Sequence, residues 1–210
     1  MIITLIGMAS VGKSYWSAHL AAIGFEHIDL DARIGQRLEQ KTSHSFATTA
    51  LMNEWLGFPD SPSFAAREAL FVQTEAEIFK ETLLYLEKQP PNTPIVVDSG
   101  GSLVYSPLGY WQQLRQLTTI IYLKADKTLA NQFAATYLKE GRSIIWNGLY
   151  APLPNETRTA SYMRCYANLL DFRTAEYEKH AEYSLEFQEH RSPEMSVARL
   201  CSFMPYGMSK

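Results

Sequence analysis

A lysine and a hydroxyl residue, Lys13 and Ser14, close the run Gly7-Met8-Ala9-Ser10-Val11-Gly12-Lys13-Ser14, and that spacing is the pattern of a phosphate-binding loop. Glycines at both ends let the backbone adopt torsions that turn successive N–H groups inward, so Gly7, Ala9, Ser10, Val11 and Gly12 could ring phosphate oxygens. In this chemistry the lysine reaches the β- and γ-phosphates of a nucleotide such as ATP, and the Ser14 hydroxyl binds Mg²⁺. The flanks suit the pattern. Met1–Ile6 is an apolar, β-branched run that reads as a buried strand, and the chain after Lys13 turns helical, with Ala18, Leu20, Ala21 and Ala22. A following helix start would add free N–H groups and the positive end of its dipole.

Phosphoryl transfer also needs a metal anchor, a positive lid and an activated acceptor hydroxyl. Asp29 and Asp98 both end strand-like runs, and either could hold Mg²⁺ directly or through water; either could equally cap a following turn or helix. Asp31, two residues beyond Asp29, is placed to grip an acceptor hydroxyl and accept its proton, or else to be the N-cap of the next helix. Gly100-Gly101 would allow a ligand close to the backbone, or make a tight turn. Arg142 stands in a Gly-Arg pair where it could neutralise the transferring phosphoryl group. Arg173, with Glu176 and Tyr177 three and four residues on, reads by spacing as a helix-surface ion pair. The five histidines show no metal-ligand spacing.

The elements that must position these groups alternate. Strands are expected at Met1–Ile6, Phe25–Asp29, Pro94–Asp98, Thr118–Leu123 and, as an edge, Tyr183–Phe187. Helices are expected over roughly 13–23, 63–88, 108–116, 127–139, 156–180 and 193–203. Such alternation predicts parallel crossovers and an α/β, doubly wound five-stranded parallel sheet flanked by helices, with ligands beyond the carboxyl ends of the strands. Two segments break the pattern. Residues 41–62 are rich in Ser, Thr and Pro around Trp55-Leu56-Gly57-Phe58-Pro59, and residues 140–155 carry Gly141-Arg142, Trp146, Pro152 and Pro154. Both read as long irregular segments of the kind that form lids.

With 210 residues, 46% hydrophobic and 20% charged, the chain is sized for one α/β domain with its own core. A net charge of −3 argues against a general nucleic-acid binder. Two cysteines, Cys165 and Cys201, suggest no disulfide framework and a reducing compartment. No apolar run is long enough for a membrane span, so a cytoplasmic protein is expected. The oligomeric state is not legible.

Together these residues resemble shikimate kinase, a family of the nucleoside-monophosphate-kinase-like fold, nearly end to end. Leu5 through Ser14 is similar to the family's ATP loop, which implies a fold of the P-loop kinase type, with ATP and Mg²⁺ as cofactors. Ile28-Asp29-Leu30-Asp31 resembles its second-strand acid pair, which implies that Asp29 serves Mg²⁺ and Asp31 holds the acceptor. Asp98-Ser99-Gly100-Gly101-Ser102 resembles the glycine-rich substrate turn, with Ser99 where the first of three glycines is customary. Gly141-Arg142-Ser143-Ile144-Ile145 is similar to the lid motif, which assigns Arg142 to the ATP phosphates. Arg173 through Tyr177 resembles the motif whose arginine binds the substrate carboxylate. Arg191-Ser192-Pro193-Glu194 resembles the turn bordering the adenine, which gives Arg191 and Pro193 to the nucleotide.

One departure falls in the acceptor half. The family's Phe-Arg pair followed by a glutamate is matched by Phe71-Val72 and Glu75, with Val72 replacing the arginine. Losing one of two charged grips should cost a few kcal/mol of affinity; Arg67, one helical turn earlier, could substitute. The resemblance implies a single domain over 1–210, with a substrate-binding region and insertion at 32–75 and a lid at 138–156. The activity implied is ATP-dependent phosphorylation of a hydroxyl on a small, polar, carboxylated metabolite. The alternatives are a kinase of another acceptor (sugar acid, nucleotide or antibiotic) and a nucleotide-binding regulatory protein without acceptor turnover.

Overall fold

The structure, a computed structural model, describes residues 1–203 other than 91, 127, 129, 141 and 142, with backbone alone at 130 and 131. Five strands form one all-parallel sheet in the order β2-β3-β1-β4-β5: β1 (Ile2–Ile6), β2 (Glu26–Asp29), β3 (Ile95–Asp98), β4 (Thr119–Leu123) and β5 (Tyr183–Leu185). The three central strands are runs of buried residues, with Ile3, Leu5, Ile6, Ile95, Val96, Val97, Ile120, Ile121 and Leu123 all fully enclosed. That is the composition a parallel strand needs when helices cover both faces. Each expected strand is present, trimmed by a residue or two; β5 stops at Leu185 because Phe187 already belongs to a helix.

Nine helices flank the sheet among the described residues: α1 (Lys13–Ala22), α2 (Leu30–Lys41), α3 (Thr49–Leu56), α4 (Phe64–Leu86), α5 (Leu108–Leu117), α6 (Ala130–Glu140), α7 (Arg158–His180), α8 (Phe187–His190) and α9 (Val197–Ser202). The single helix expected over 193–203 is instead α9 alone, with α8 before it and Pro193 in the turn between.

Two helices differ from expectation. α2 starts directly at the end of β2 with no loop. Asp29 is at once the last strand residue and the helix N-cap, its Oδ1 accepting the Ala32 N–H at 2.9 Å. The capping role weighed for Asp31 therefore falls to Asp29, and Asp31 lies in the first turn of α2. α2 buries Leu30, Ile34 and Leu38, spaced four apart, and its Gly35 packs against the Phe46 backbone, where an added Cβ would lie 3.5 Å from the carbonyl oxygen.

The segment 41–62 is not irregular throughout. Thr48 caps α3, accepting the Leu51 N–H, and Gly57 ends it at φ 76°. Met52, Trp55 and Leu56 are buried at helical spacing, with Phe46 against the Trp55 ring. Ser, Thr and Pro composition masked that pattern.

Of the expected lid, residues 138–140 end α6 and residues 143–156 are also described; the latter are not a free lid. They form a strap pinned to α3 and α4. The Ser143 hydroxyl contacts the carbonyls of Asn53 and Gly57 at 2.6 and 2.7 Å. Glu68 on α4 accepts the Trp146 and Asn147 N–H groups at 2.5 and 2.9 Å. Trp146 is buried between Tyr150 and Tyr162. Trp55 and Trp146, from the two segments that break the strand–helix alternation, are thus packing residues of one junction.

The Glu68 carboxylate carries that junction's polar half. Glu68→Ala should lower unfolding free energy by roughly 1–3 kcal/mol, the cost of leaving such amides without an acceptor, and should speed protease cleavage within 143–150. Urea unfolding and limited proteolysis check this; an unchanged midpoint and cleavage pattern would mean that other contacts hold the strap.

Candidate active site

The loop from 7 to 12 has the alternating torsions that aim amides into a concavity: Gly7 at φ 143°, Ser10 at 66° and Gly12 at 111°. A side chain at Gly7 is barred twice, since its φ disfavours one and a Cβ would stand 2.5 Å from the Leu123 carbonyl oxygen. Lys13, the first residue of α1, is only 7% exposed, and its ammonium donates to the Gly7 and Met8 carbonyls at 3.0 Å each. Burial lowers its pKa, against the pull of Asp98 and Asp31. The cation thus hydrogen-bonds only carbonyl oxygens among the described residues, beside the acids that favour its charge.

Parallel register places the acids. Leu5 pairs with Asp98, and Asp98 with Asp29, so both carboxylates sit at the strand ends beside the loop. Asp98 is buried and bonded to the Ser14 hydroxyl; burial raises its pKa, while Lys13 and Ser14 oppose that rise. Asp29 is instead engaged in its capping bond to Ala32. Among the described residues no group of three His, Cys, Asp or Glu side chains converges as a metal cage. Mg²⁺ bound with phosphates needs only one or two protein oxygens, and the Ser14–Asp98 pair fits that requirement.

Asp31, Glu75, Arg173 and the phosphate loop meet at Gly100 and Gly101. A Cβ on Gly100 would lie 2.6 Å from Asp31 Oδ1 and 3.0 Å from Glu75 Oε1; one on Gly101 would lie 3.2 Å from Arg173 Nη1 and 3.4 Å from the Ala9 nitrogen of the phosphate loop. Two bare backbone positions therefore bring a carboxylate, a guanidinium and the loop together. Burial pushes the Asp31 carboxyl up to about 6, with Lys13 opposing and Asp29 and Asp98 reinforcing the shift. Glu75, fully enclosed in α4, is pushed up to about 8 by burial, against its 2.8 Å bond from Ser102.

Arg173 is not the surface ion pair its spacing suggests. It is 4% exposed and donates to the Ile145 carbonyl of the strap at 2.5 Å and to the Tyr105 hydroxyl at 3.3 Å, with its plane over the Tyr105 ring. Tyr177, one turn on, donates to the Gly101 carbonyl at 2.6 Å.

Arg67 does not join this group. It donates to the Trp55 carbonyl and stacks over that ring, so it supports α3 rather than replacing the arginine missing at Val72. Val72 packs against the core. Arg142 falls outside the described residues. Arg191 leans on the phosphate loop, donating to the Ser10 carbonyl at 3.0 Å with its guanidinium 3.5 Å from where a Gly12 Cβ would stand, and Pro193 follows in the next turn. Tyr137 on α6, which no motif flagged, bonds the Ala9 carbonyl at 3.1 Å. Ser102, Asn53 and Ser143 line the same cavity as Asp31 and Arg173; Ser102 and Ser143 belong to recognised motifs, and Asn53 was signalled by none.

No protein-family model and no curated protein matches the sequence. Solved structures do. The chain is similar to shikimate kinase from Acinetobacter baumannii in complex with shikimate (21% identity, TM-score 0.57, covering 96% of this chain and 88% of that one). It is also similar to shikimate kinase from Bacteroides thetaiotaomicron (17%, 0.59, 97% and 97%) and to that from Aquifex aeolicus (16%, 0.58, 96% and 95%). The chain has the P-loop fold of these kinases.

Glu75 gives the site a pH signature. A carboxyl with an ordinary value of 4.5 that moves to about 8 on folding binds its proton more tightly folded than unfolded. Its stabilising contribution is full below its unfolded value and is lost as pH rises through the folded one. Glu75→Gln, which keeps an acceptor for Ser102, should therefore flatten the decline in stability between about pH 4.5 and 8 and gain on the parent at alkaline pH. Urea unfolding across that range checks it; parallel curves for both proteins would contradict it.

Proposed function

We propose that this protein is an ATP-dependent small-molecule kinase, moving the γ-phosphoryl group of ATP to a hydroxyl of a small, carboxylated metabolite. One observation carries the reading: over Gly100 and Gly101 an acid, a buried arginine and the phosphate loop meet within contact distance of two adjacent residues. Donor and acceptor machinery share one point, as in-line transfer requires. The shared fold with shikimate kinases supports the same reaction class.

In this reading the amides of Gly7, Ala9, Ser10, Val11, Gly12, Lys13 and Ser14 cradle the phosphates. Lys13 exchanges its two carbonyl partners for phosphate oxygens. Arg191 and Pro193 border the base, and Arg142 is assigned to the phosphates. Ser14 and Asp98, and Asp29 with them, would hold Mg²⁺, which would supply charge neutralisation at the phosphates. Asp31 accepts the proton of the acceptor hydroxyl as its oxygen bonds to the γ-phosphorus and the bond to ADP breaks. Arg173 receives the acceptor's carboxylate, and Glu75 holds Ser102 in place beside it. A second reading, a nucleotide-binding regulator without acceptor turnover, draws on the engagement of Arg173 with the Ile145 carbonyl.

The two readings part in one assay: ADP release with ATP and Mg²⁺, screened over hydroxy acids, sugars and nucleotides. Acceptor-dependent ADP release supports the kinase; nucleotide binding with no acceptor-dependent release supports the regulator. Lys13→Ala should lower turnover by about 10²–10³-fold or more with the far-UV spectrum unchanged, and undiminished turnover would remove the phosphate-loop assignment. Asp31→Asn should lose about 10²–10⁴-fold. Parent turnover should fall on the acid side with a midpoint near 6, where Asp31 takes up its proton. A profile flat to pH 5 would show that Asp31 is not the base.

A further inference from the structure

Ser10 stands at φ 66°, in the left-handed region, with a side chain that disfavours it. Such a residue persists where its surroundings leave the backbone no alternative. A trans peptide unit is planar and its C=O and N–H point opposite ways, so gripping one carbonyl fixes the aim of the next residue's amide. Four successive carbonyls of the phosphate loop are gripped. Lys13 takes those of Gly7 and Met8, Tyr137 that of Ala9 at 3.1 Å, and Arg191 that of Ser10 at 3.0 Å. The Tyr137 and Arg191 bonds therefore set the directions of the Ser10 and Val11 amides, the two at the middle of the loop.

These grips are not equivalent. In the proposed reaction Lys13 gives up both of its carbonyls to phosphate oxygens, which leaves Tyr137 and Arg191. Arg191 is exposed, so water competes for its bond. Tyr137 is 3% exposed. Its ring meets that of Tyr166 on α7 edge-on, centroids 5.7 Å apart, and the Tyr166 hydroxyl is hydrogen-bonded to its own. The Tyr137 hydroxyl also lies 3.4 Å from Ser10 Oγ. The residue it grips has a second neighbour: the Ala9 nitrogen is 3.4 Å from where a Cβ on Gly101 would stand. Ala9 thus borders the glycine turn through its amide and is anchored to α6 through its carbonyl.

We propose that Tyr137 is a positioning residue of the phosphate site: its hydroxyl, held between Tyr166 and the Ala9 carbonyl, keeps the Ser10 amide aimed at the phosphates of the nucleotide. The inference rests on the assignment of the loop to a nucleotide in the kinase reading, and adds to it a residue that belongs to no motif. The hydroxyl touches the backbone of the loop and acts through it, so its contribution is to holding the phosphates and not to the transfer step. Tyr137 also lines the cavity of Asp31 and Arg173, and a direct contact with the acceptor is the alternative that the experiment must separate.

Tyr137→Phe removes the hydroxyl and keeps the ring. Calorimetric titration of the full chain with Mg²⁺ and a non-hydrolysable ATP analogue should give a Kd raised about two- to tenfold, the range that one hydrogen bond carries. Adenosine, which brings no phosphate, should bind variant and parent alike. In the unliganded variant the Ser10 and Val11 amide resonances should move while those of β1 and β4 stay. With ATP and an acceptor that the parent turns over, KM for ATP should rise while kcat and the acceptor KM hold. An unchanged analogue Kd overturns the proposal. Equal weakening of adenosine and the analogue, or resonances displaced throughout α6 and α7, would show a structural role and overturn it too, as would a loss confined to the acceptor KM. If the parent does not bind the analogue, the proposal falls together with the nucleotide assignment. Selective weakening of the analogue with no acceptor turned over by the parent would leave the positioning role and remove the kinase reading. Turnover with an unchanged analogue Kd would do the reverse.

Discussion

A lysine ammonium that is almost sealed from water, Lys13, is what the upper end of the sheet is organised around. Its position costs desolvation, and the neighbouring charges offset that cost unevenly: Asp98 and Asp31 favour the cation, while Arg173 disfavours it. It donates to the Gly7 and Met8 carbonyls. Those carbonyls are within reach only because Gly7 stands at φ 143° with its Cα face against Leu123 on β4. The strand order follows as a requirement. β1 must lie between β3 and β4 so that Asp98 borders the loop on one side and Leu123 supports it on the other.

The acceptor half is organised by a second sealed cation, Arg173. Its guanidinium fixes three separate pieces, the strap at Ile145, the short helical turn at Tyr105 and the phosphate loop at Met8. In the proposed reading, a carboxylate arriving at Arg173 would compete with the Ile145 carbonyl and so link acceptor binding to strap position. Neither Asp31 nor Glu75 sits at its ordinary acidity, because both are buried beside one another with a limited supply of positive charge.

Legibility in the sequence followed the range of the interactions. The three central strands were readable because a parallel strand covered by helices must be apolar on both faces, and the phosphate loop because its chemistry is contained in eight consecutive residues. α2 was lost because it begins without a loop and carries Gly35, a residue whose use, close packing on Phe46, is a tertiary fact. α3 was hidden by Ser, Thr and Pro around it, although Met52, Trp55 and Leu56 hold helical spacing. Arg173 read locally as a surface pair and is buried, since nothing in its own helix announces Tyr105 or Ile145. Arg67 read as a stand-in for the missing arginine, but the Trp55 ring and carbonyl claim it first.

The central claim is that residues 7–14 bind the phosphates of a nucleotide. The most direct measurement is a titration of the labelled chain with Mg²⁺ and a non-hydrolysable ATP analogue, followed by backbone amide NMR shifts. The largest changes are predicted at Ala9 through Ser14, with smaller ones at Asp98 and Arg191. Saturable binding whose shifts cluster elsewhere, for example around the second cavity at Lys124 and Glu186, with residues 9–14 unmoved, would contradict it.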